Sequence, residues 1–142
     1  MQRETDDRLL DDLLRRAAAA QRLRLERALV PIGLTVTQFV LLREIASEGA
    51  MSGAELARVE SLTPQTTSVV LRNLSAKDAI CVRFAVSDGR TRRFELTHIG
   101  RSLLLDGAEL TRARIAALRL GAPDASLLPV RKFLESVSAI VG

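Results

Sequence analysis

The sequence holds a single cysteine, Cys81, which rules out an intrachain disulfide and a cysteine-rich zinc motif. It holds a single histidine, His98, too few partners for a catalytic triad or a histidine metal centre. Tryptophan and tyrosine are absent, so an aromatic ligand would lack the usual stacking partners, though Phe, Leu and Arg could hold it. Lysine is scarce as well: Lys77 and Lys132 apart, every basic side chain is an arginine. No apolar run approaches the ~20 residues that span a bilayer. The N-terminal segment is charged and lacks the apolar core of a signal peptide. These absences lead us to expect a cytoplasmic protein that is not an enzyme and needs no metal or cofactor.

What is present fits one globular domain. The 142 residues are 47% hydrophobic and 27% charged, enough apolar content for a core. Net charge is +4 and the pI near 10.5, a balance that favours a polyanionic partner.

The stretch Ser61 to Asp78 carries the clearest functional signal. Thr63 is a good N-cap and a candidate DNA contact, and Pro64 suits the first helical position, where its missing N–H costs nothing. Gln65, Thr66, Thr67 and Ser68 follow, short polar side chains able to hydrogen-bond base edges in a major groove. Val70, Leu71 and Leu74 can face the protein, and Arg72 can reach a phosphate or a base. Val69 has no clear facing.

Thr5 to Leu29 reads as one long helix, with leucines and alanines at helical spacing and Pro31 and Gly33 to stop it. Thr35 and Gln38 have capping-box spacing and open a helix ending near Gly49. Ser52 and Glu55 are a second capping box before Leu56, Ala57 and Val59. With the polar-fronted helix that follows, these make a helix-turn-helix pattern. Beyond Asp78 the period becomes two: Ile80, Val82, Phe84 and Val86 alternate with Cys81, Arg83 and Ala85. Ser87 to Arg90 contains Asp-Gly, a hairpin turn signal, and Phe94 and Leu96 lie on the return strand. Arg83, Arg90, Arg92 and Arg93 crowd this hairpin, and beside a recognition-type helix we assign them to DNA. Thr97 can cap a helix running to about Leu120, stopped by Gly121 and Pro123. A final helix starts at Asp124 or Ser126, with Pro129 in or near its first turn.

The fold class expected is mainly α with a small β-hairpin wing. Residues 1–142 form one domain, in which about 5–30 and 98–142 are dimerisation helices and about 35–97 a winged helix-turn-helix lobe. The terminal helices carry more apolar surface than such a domain covers, which marks a partner surface. Two-fold pairing would set two recognition helices one DNA turn apart.

Glu55-Leu56-Ala57, Leu62-Thr63, Leu74, Asp88-x-Arg90, Leu96-Thr97 and Gly100 together resemble the MarR family of bacterial transcription regulators. Gly33, Leu34, Thr35, Gln38 and Phe39 look like that family's second helix. The resemblance covers nearly the whole chain in element order. Its sharpest motif is D-x-R followed by L-T-x-x-G. It implies a homodimer with interlocked terminal helices, binding pseudo-palindromic duplex DNA, mostly as a repressor released by small, often phenolic, effectors. It also implies that Arg90 enters the minor groove from the wing tip and that Asp88 pairs with an arginine to hold the wing. Two positions depart from the family pattern: Asp78 stands where glycine is common, and no proline precedes Asp88.

An aromatic or anionic effector would sit in the crevice between the dimerising helices and the winged lobe. Val36, Val40 and Arg43 are its candidate contacts. Two other readings stand beside this one. One is a winged-helix protein-assembly module with no operator. The other is a redox-sensing regulator acting through Cys81, whose thiol Arg83 would activate.

Overall fold

Four helices begin on residues that supply their own caps. In a computed structural model describing residues 1–84, 87–120 and 124–140, the helix Val36–Glu48 (α2) opens on a full capping box. The Gln38 N–H donates to Thr35 Oγ1 at 3.1 Å and the Thr35 N–H to Gln38 Oε1 at 3.2 Å. The helix Gly53–Val59 (α3) repeats the arrangement with Ser52 and Glu55. The helix Pro64–Ala76 (α4) starts behind Thr63, whose hydroxyl accepts from the Thr66 N–H at 3.1 Å. The helix His98–Leu120 (α5) starts behind Thr97, whose hydroxyl accepts from the Gly100 N–H at 3.1 Å. Each such cap stabilises its helix by about 1 kcal/mol. Ahead of them runs Gln2–Leu29 (α1), ended by a tight turn at Val30–Ile32 and Gly33 at φ +67°. Last comes Asp124–Ile140 (α6), which begins at Asp124. Pro129 falls inside α6, just past its first turn.

The sheet has three strands, one more than the sequence suggested. Ile80–Phe84 (β2) and Arg92–Leu96 (β3) pair antiparallel, Ile80 opposite Leu96 and Phe84 opposite Arg92. The extra strand, Met51–Ser52 (β1), pairs on the far side of β3, giving the order β1-β3-β2. Burial fades along β2 towards the wing tip: Ile80 is buried, Val82 half-buried, and Phe84 61% exposed. Val86, Gly121 and Pro123 lie outside the described residues.

Leu41, Leu42 and Ile45 of α2, Leu56 of α3 and Leu74 of α4 are fully buried. They form one core with Leu29, Phe39, Met51, Phe94 and Leu96. This core lies under the recognition elements and fixes α4 against α2, α3 and β2. α5 meets the lobe through two glycines. A Cβ on Gly100 would fall inside the Ala79 carbonyl, and one on Gly107 would stand 2.6 Å from the Phe39 ring. Away from the core, apolar side chains stay uncovered: Leu9, Leu10 and Leu13 on α1, Leu105 on α5, and Leu128, Val130, Phe133 and Leu134 on α6. Among the described residues no single helix is long and apolar enough to cross a membrane.

Candidate nucleic-acid interface

α4 sorts its residues by the 100° step of a helix. Thr67, Leu71 and Leu74 form its buried line. Gln65, Thr66, Ser68, Val69, Arg72 and Asn73 are exposed. Thr67 therefore drops out of the base-reading set: it is 2% exposed, and its hydroxyl donates to its own helix at Thr63 O, 3.0 Å away. Thr63 is exposed, but its hydroxyl is occupied by the cap and by Thr66 Oγ1 at 2.9 Å. Sequence reasoning left Val69 unplaced and passed over Asn73; the burial pattern of the helix turns both outward.

The α4 C-terminus is held by two devices. Asp78 takes the left-handed conformation at φ +55°, as a residue in the usual glycine position must. Lys77 Nζ donates to Gly33 O at 2.9 Å, joining the recognition helix to the turn between α1 and α2. That second contact spans distant residues and left no sequence signal.

The wing is built around Asp88. Its carboxylate accepts from the Arg90 N–H at 2.8 Å, the Thr91 N–H at 2.9 Å and the Thr91 hydroxyl. Asp88 thus shapes the wing through backbone amides and a threonine, where an arginine partner was expected. The Thr91 hydroxyl, then the Thr91 and Arg90 amides, lower its pKa to about 2. A depressed carboxylate contributes order above its unperturbed pKa and loses it as pH falls through the folded value. The Arg90 and Thr91 amide resonances are therefore expected to hold steady from neutrality through pH 4 and to shift with a midpoint near pH 2. A midpoint near 4 in a pH series of NMR spectra would show that these bonds do not form.

The four wing arginines have different surroundings. Arg90 is exposed beside Gly89, which takes φ +65° at the turn. Arg92 is exposed and stacks over Phe94, 5.5 Å from the ring centre. Arg83 pairs across the strands with Glu95 at 2.9 Å. Arg93 turns away from the wing surface: its guanidinium donates to Ala50 O at 2.8 Å and pairs with Glu55 at 3.2 Å. The Ser52 amide, with Arg93 beside it, holds the Glu55 carboxyl below the usual carboxylate range. Arg93 pins β3 to the start of α3 and leaves the set of DNA contacts. Arg93→Ala should cost about 1–2 kcal/mol of stability in urea unfolding, since a charged donor to a carbonyl is lost at a half-exposed site. It should leave the salt dependence of DNA binding unchanged; a flatter salt slope would return it to the interface.

Between α4 and the wing lies a cleft of about 540 Å³ lined by Ser68, Arg72, Ser75, Arg92 and Phe94. Two guanidinium groups and two hydroxyls over an aromatic floor suit a phosphate strand passing from α4 to the wing. The residues named for an effector all stand on α2 and differ in burial. Val36 belongs to the core at 6% exposure, Val40 is half-buried against it, and Arg43 is exposed beside Glu44 at 3.6 Å. Cys81 is exposed on β2, opposite Glu95 in the register, and His98 is exposed at the first turn of α5.

A capped helix with a polar outward face, beside a hairpin wing carrying arginines, defines a winged helix-turn-helix DNA-binding regulator. The MarR family model matches residues 34–91, from the turn before α2 to the wing. The chain is 41% identical over 121 residues to an HTH-type transcriptional repressor of Mycobacterium tuberculosis, covering 84% of this chain and 87% of that protein. It belongs to the MarR family. A MarR family protein of M. tuberculosis solved in complex with salicylic acid is 35% identical with a TM-score of 0.69, covering 88% of this chain and 93% of that one. A mutant MarR from Escherichia coli complexed with operator DNA superposes with a TM-score of 0.82 at 20% identity, over 90% of this chain and 92% of that one, and shares the fold.

Proposed function

We propose that this chain is a cytoplasmic, homodimeric repressor that leaves a pseudo-palindromic operator when it binds a small aromatic carboxylate. The observation that carries this reading is the outward polar stripe of α4 next to a wing whose tip offers Arg90. Gln65, Thr66, Ser68 and Arg72 face the major groove, and Arg90 and Arg92 follow the adjacent backbone. Residues about 5–30 and 98–142 form the dimer, and about 35–97 the DNA-binding lobe. Their exposed leucines support the division. The salicylic acid complex of the mycobacterial relative supports the effector class. In this chain Val40 and Arg43 are the contacts proposed for it.

Arg90→Ala tests the wing. A wing tip touches phosphates and groove width more than base edges, so affinity should fall by a similar factor on every duplex. The log–log salt slope should flatten by about 0.9, the value of one phosphate contact. Unchanged affinity and slope would remove Arg90 from the interface. Binding of the unaltered protein to duplex DNA with no salt dependence would favour a protein-assembly role. If oxidation of Cys81, and no aromatic acid, alters affinity, the redox reading replaces the ligand-gated one.

A further inference from the structure

Val69 is 48% exposed on a helix whose apolar line faces the other way. The direction opposite Thr67, Leu71 and Leu74 is occupied by Gln65, Val69, Arg72 and Ala76, all exposed. Val69 is thus the one branched apolar side chain in an outward stripe that otherwise carries an amide, a guanidinium and a methyl. It adds nothing to the core. Nor does it favour the helix, because a β-branched residue loses side-chain freedom there. The apolar feature that a base pair offers in the major groove is the 5-methyl group of thymine.

We infer that Val69 is a specificity-determining residue that packs on a thymine 5-methyl group in each operator half-site. Gln65 lies one turn before it, about 6 Å along the axis, and base pairs repeat about every 3.4 Å. The methyl therefore belongs to a pair within about two steps of the base that Gln65 reads. Ala76, small and on the same line, lets the helix approach the base edges. The inference rests on the DNA-reading function proposed above and adds to it the identity of one base.

The test begins with the full-length protein and a preferred duplex selected from a random pool. Each thymine is then replaced in turn by deoxyuridine, which removes only the methyl. For the unaltered protein one thymine per half-site is expected to matter, with a loss of about fourfold for each buried methyl. Val69→Ala should bind the thymine and deoxyuridine duplexes equally at that position. Val69→Thr, which keeps one methyl, should retain part of the discrimination. All three proteins should melt at similar temperatures, because the side chain is exposed. A duplex with no methyl-sensitive thymine overturns the inference. So does a methyl effect that persists undiminished in Val69→Ala. A pool that yields no preferred duplex overturns the proposed function itself, and the role of Val69 with it.

Discussion

Gly100→Ala is expected to lower stability by about 3 kcal/mol, the upper part of the range for overpacking. The added Cβ would fall inside the Ala79 carbonyl and crowd the Leu96 side chain. The backbone cannot readily yield there. The Thr97 N–H donates to the same Ala79 carbonyl at 3.0 Å, and the Thr97 hydroxyl donates to Asp78 O. Moving α5 outward would break both bonds and uncap the helix, since Thr97 also receives the Gly100 N–H. In thermal unfolding the loss should appear as a drop on the order of 10 °C. This is a physical reason for a glycine in L-T-x-x-G: helix and chain cross with no room for a side chain. An unchanged melting temperature would mean that α5 shifts without strain.

The second large effect concerns the uncovered face of α6. Val130 and Leu134 are 51% and 46% exposed, one turn apart, beside an Arg131–Glu135 ion pair at 2.7 Å. If this face is buried in a two-fold dimer, replacing both residues by glutamate places two charges in an apolar interface without partners. The expected product is a folded monomer, because neither side chain belongs to the lobe core. A stable dimer held by terminal helices should bury more than ~2,000 Å² in all. Separated protomers lose the gain of simultaneous binding to two half-sites, so operator affinity should fall by about 10²–10⁴. Sedimentation equilibrium decides the matter: a double variant that remains dimeric would place the interface elsewhere.

The parts of this structure that were readable in the sequence are those set by residues within one helical turn of each other. Thr35 with Gln38, Ser52 with Glu55, and Thr63 with Pro64 mark helix starts because a cap needs only a side chain and an amide three residues on. Thr67 misled because a helical threonine can satisfy its hydroxyl on the preceding turn and then pack as an apolar residue. Arg93 misled because four arginines in a short hairpin look alike until their partners are known, and Glu55 is far away in the chain. β1 carries no period at all; its two residues become a strand only when β3 lies beside them. Val36 was named for a crevice and belongs to the core, because helical spacing marks an apolar face without saying what covers it.

The division between near and distant contacts also spreads the entropy cost of folding unevenly over the chain. α2, α3, α4 and α5 each start on a cap drawn from their own neighbouring residues, so these starts need no distant partner. The sheet does: β3 must find β1, far back in the sequence and on the other side of two helices, before its second edge is closed. Closing so long a loop carries an entropic cost that the local helices do not face. Met51 with Phe94 and Ser52 with Arg93 therefore carry a loop-closure cost that the capped helix starts do not. Their closure ties the wing, already held to α4 through β2, to the start of α3.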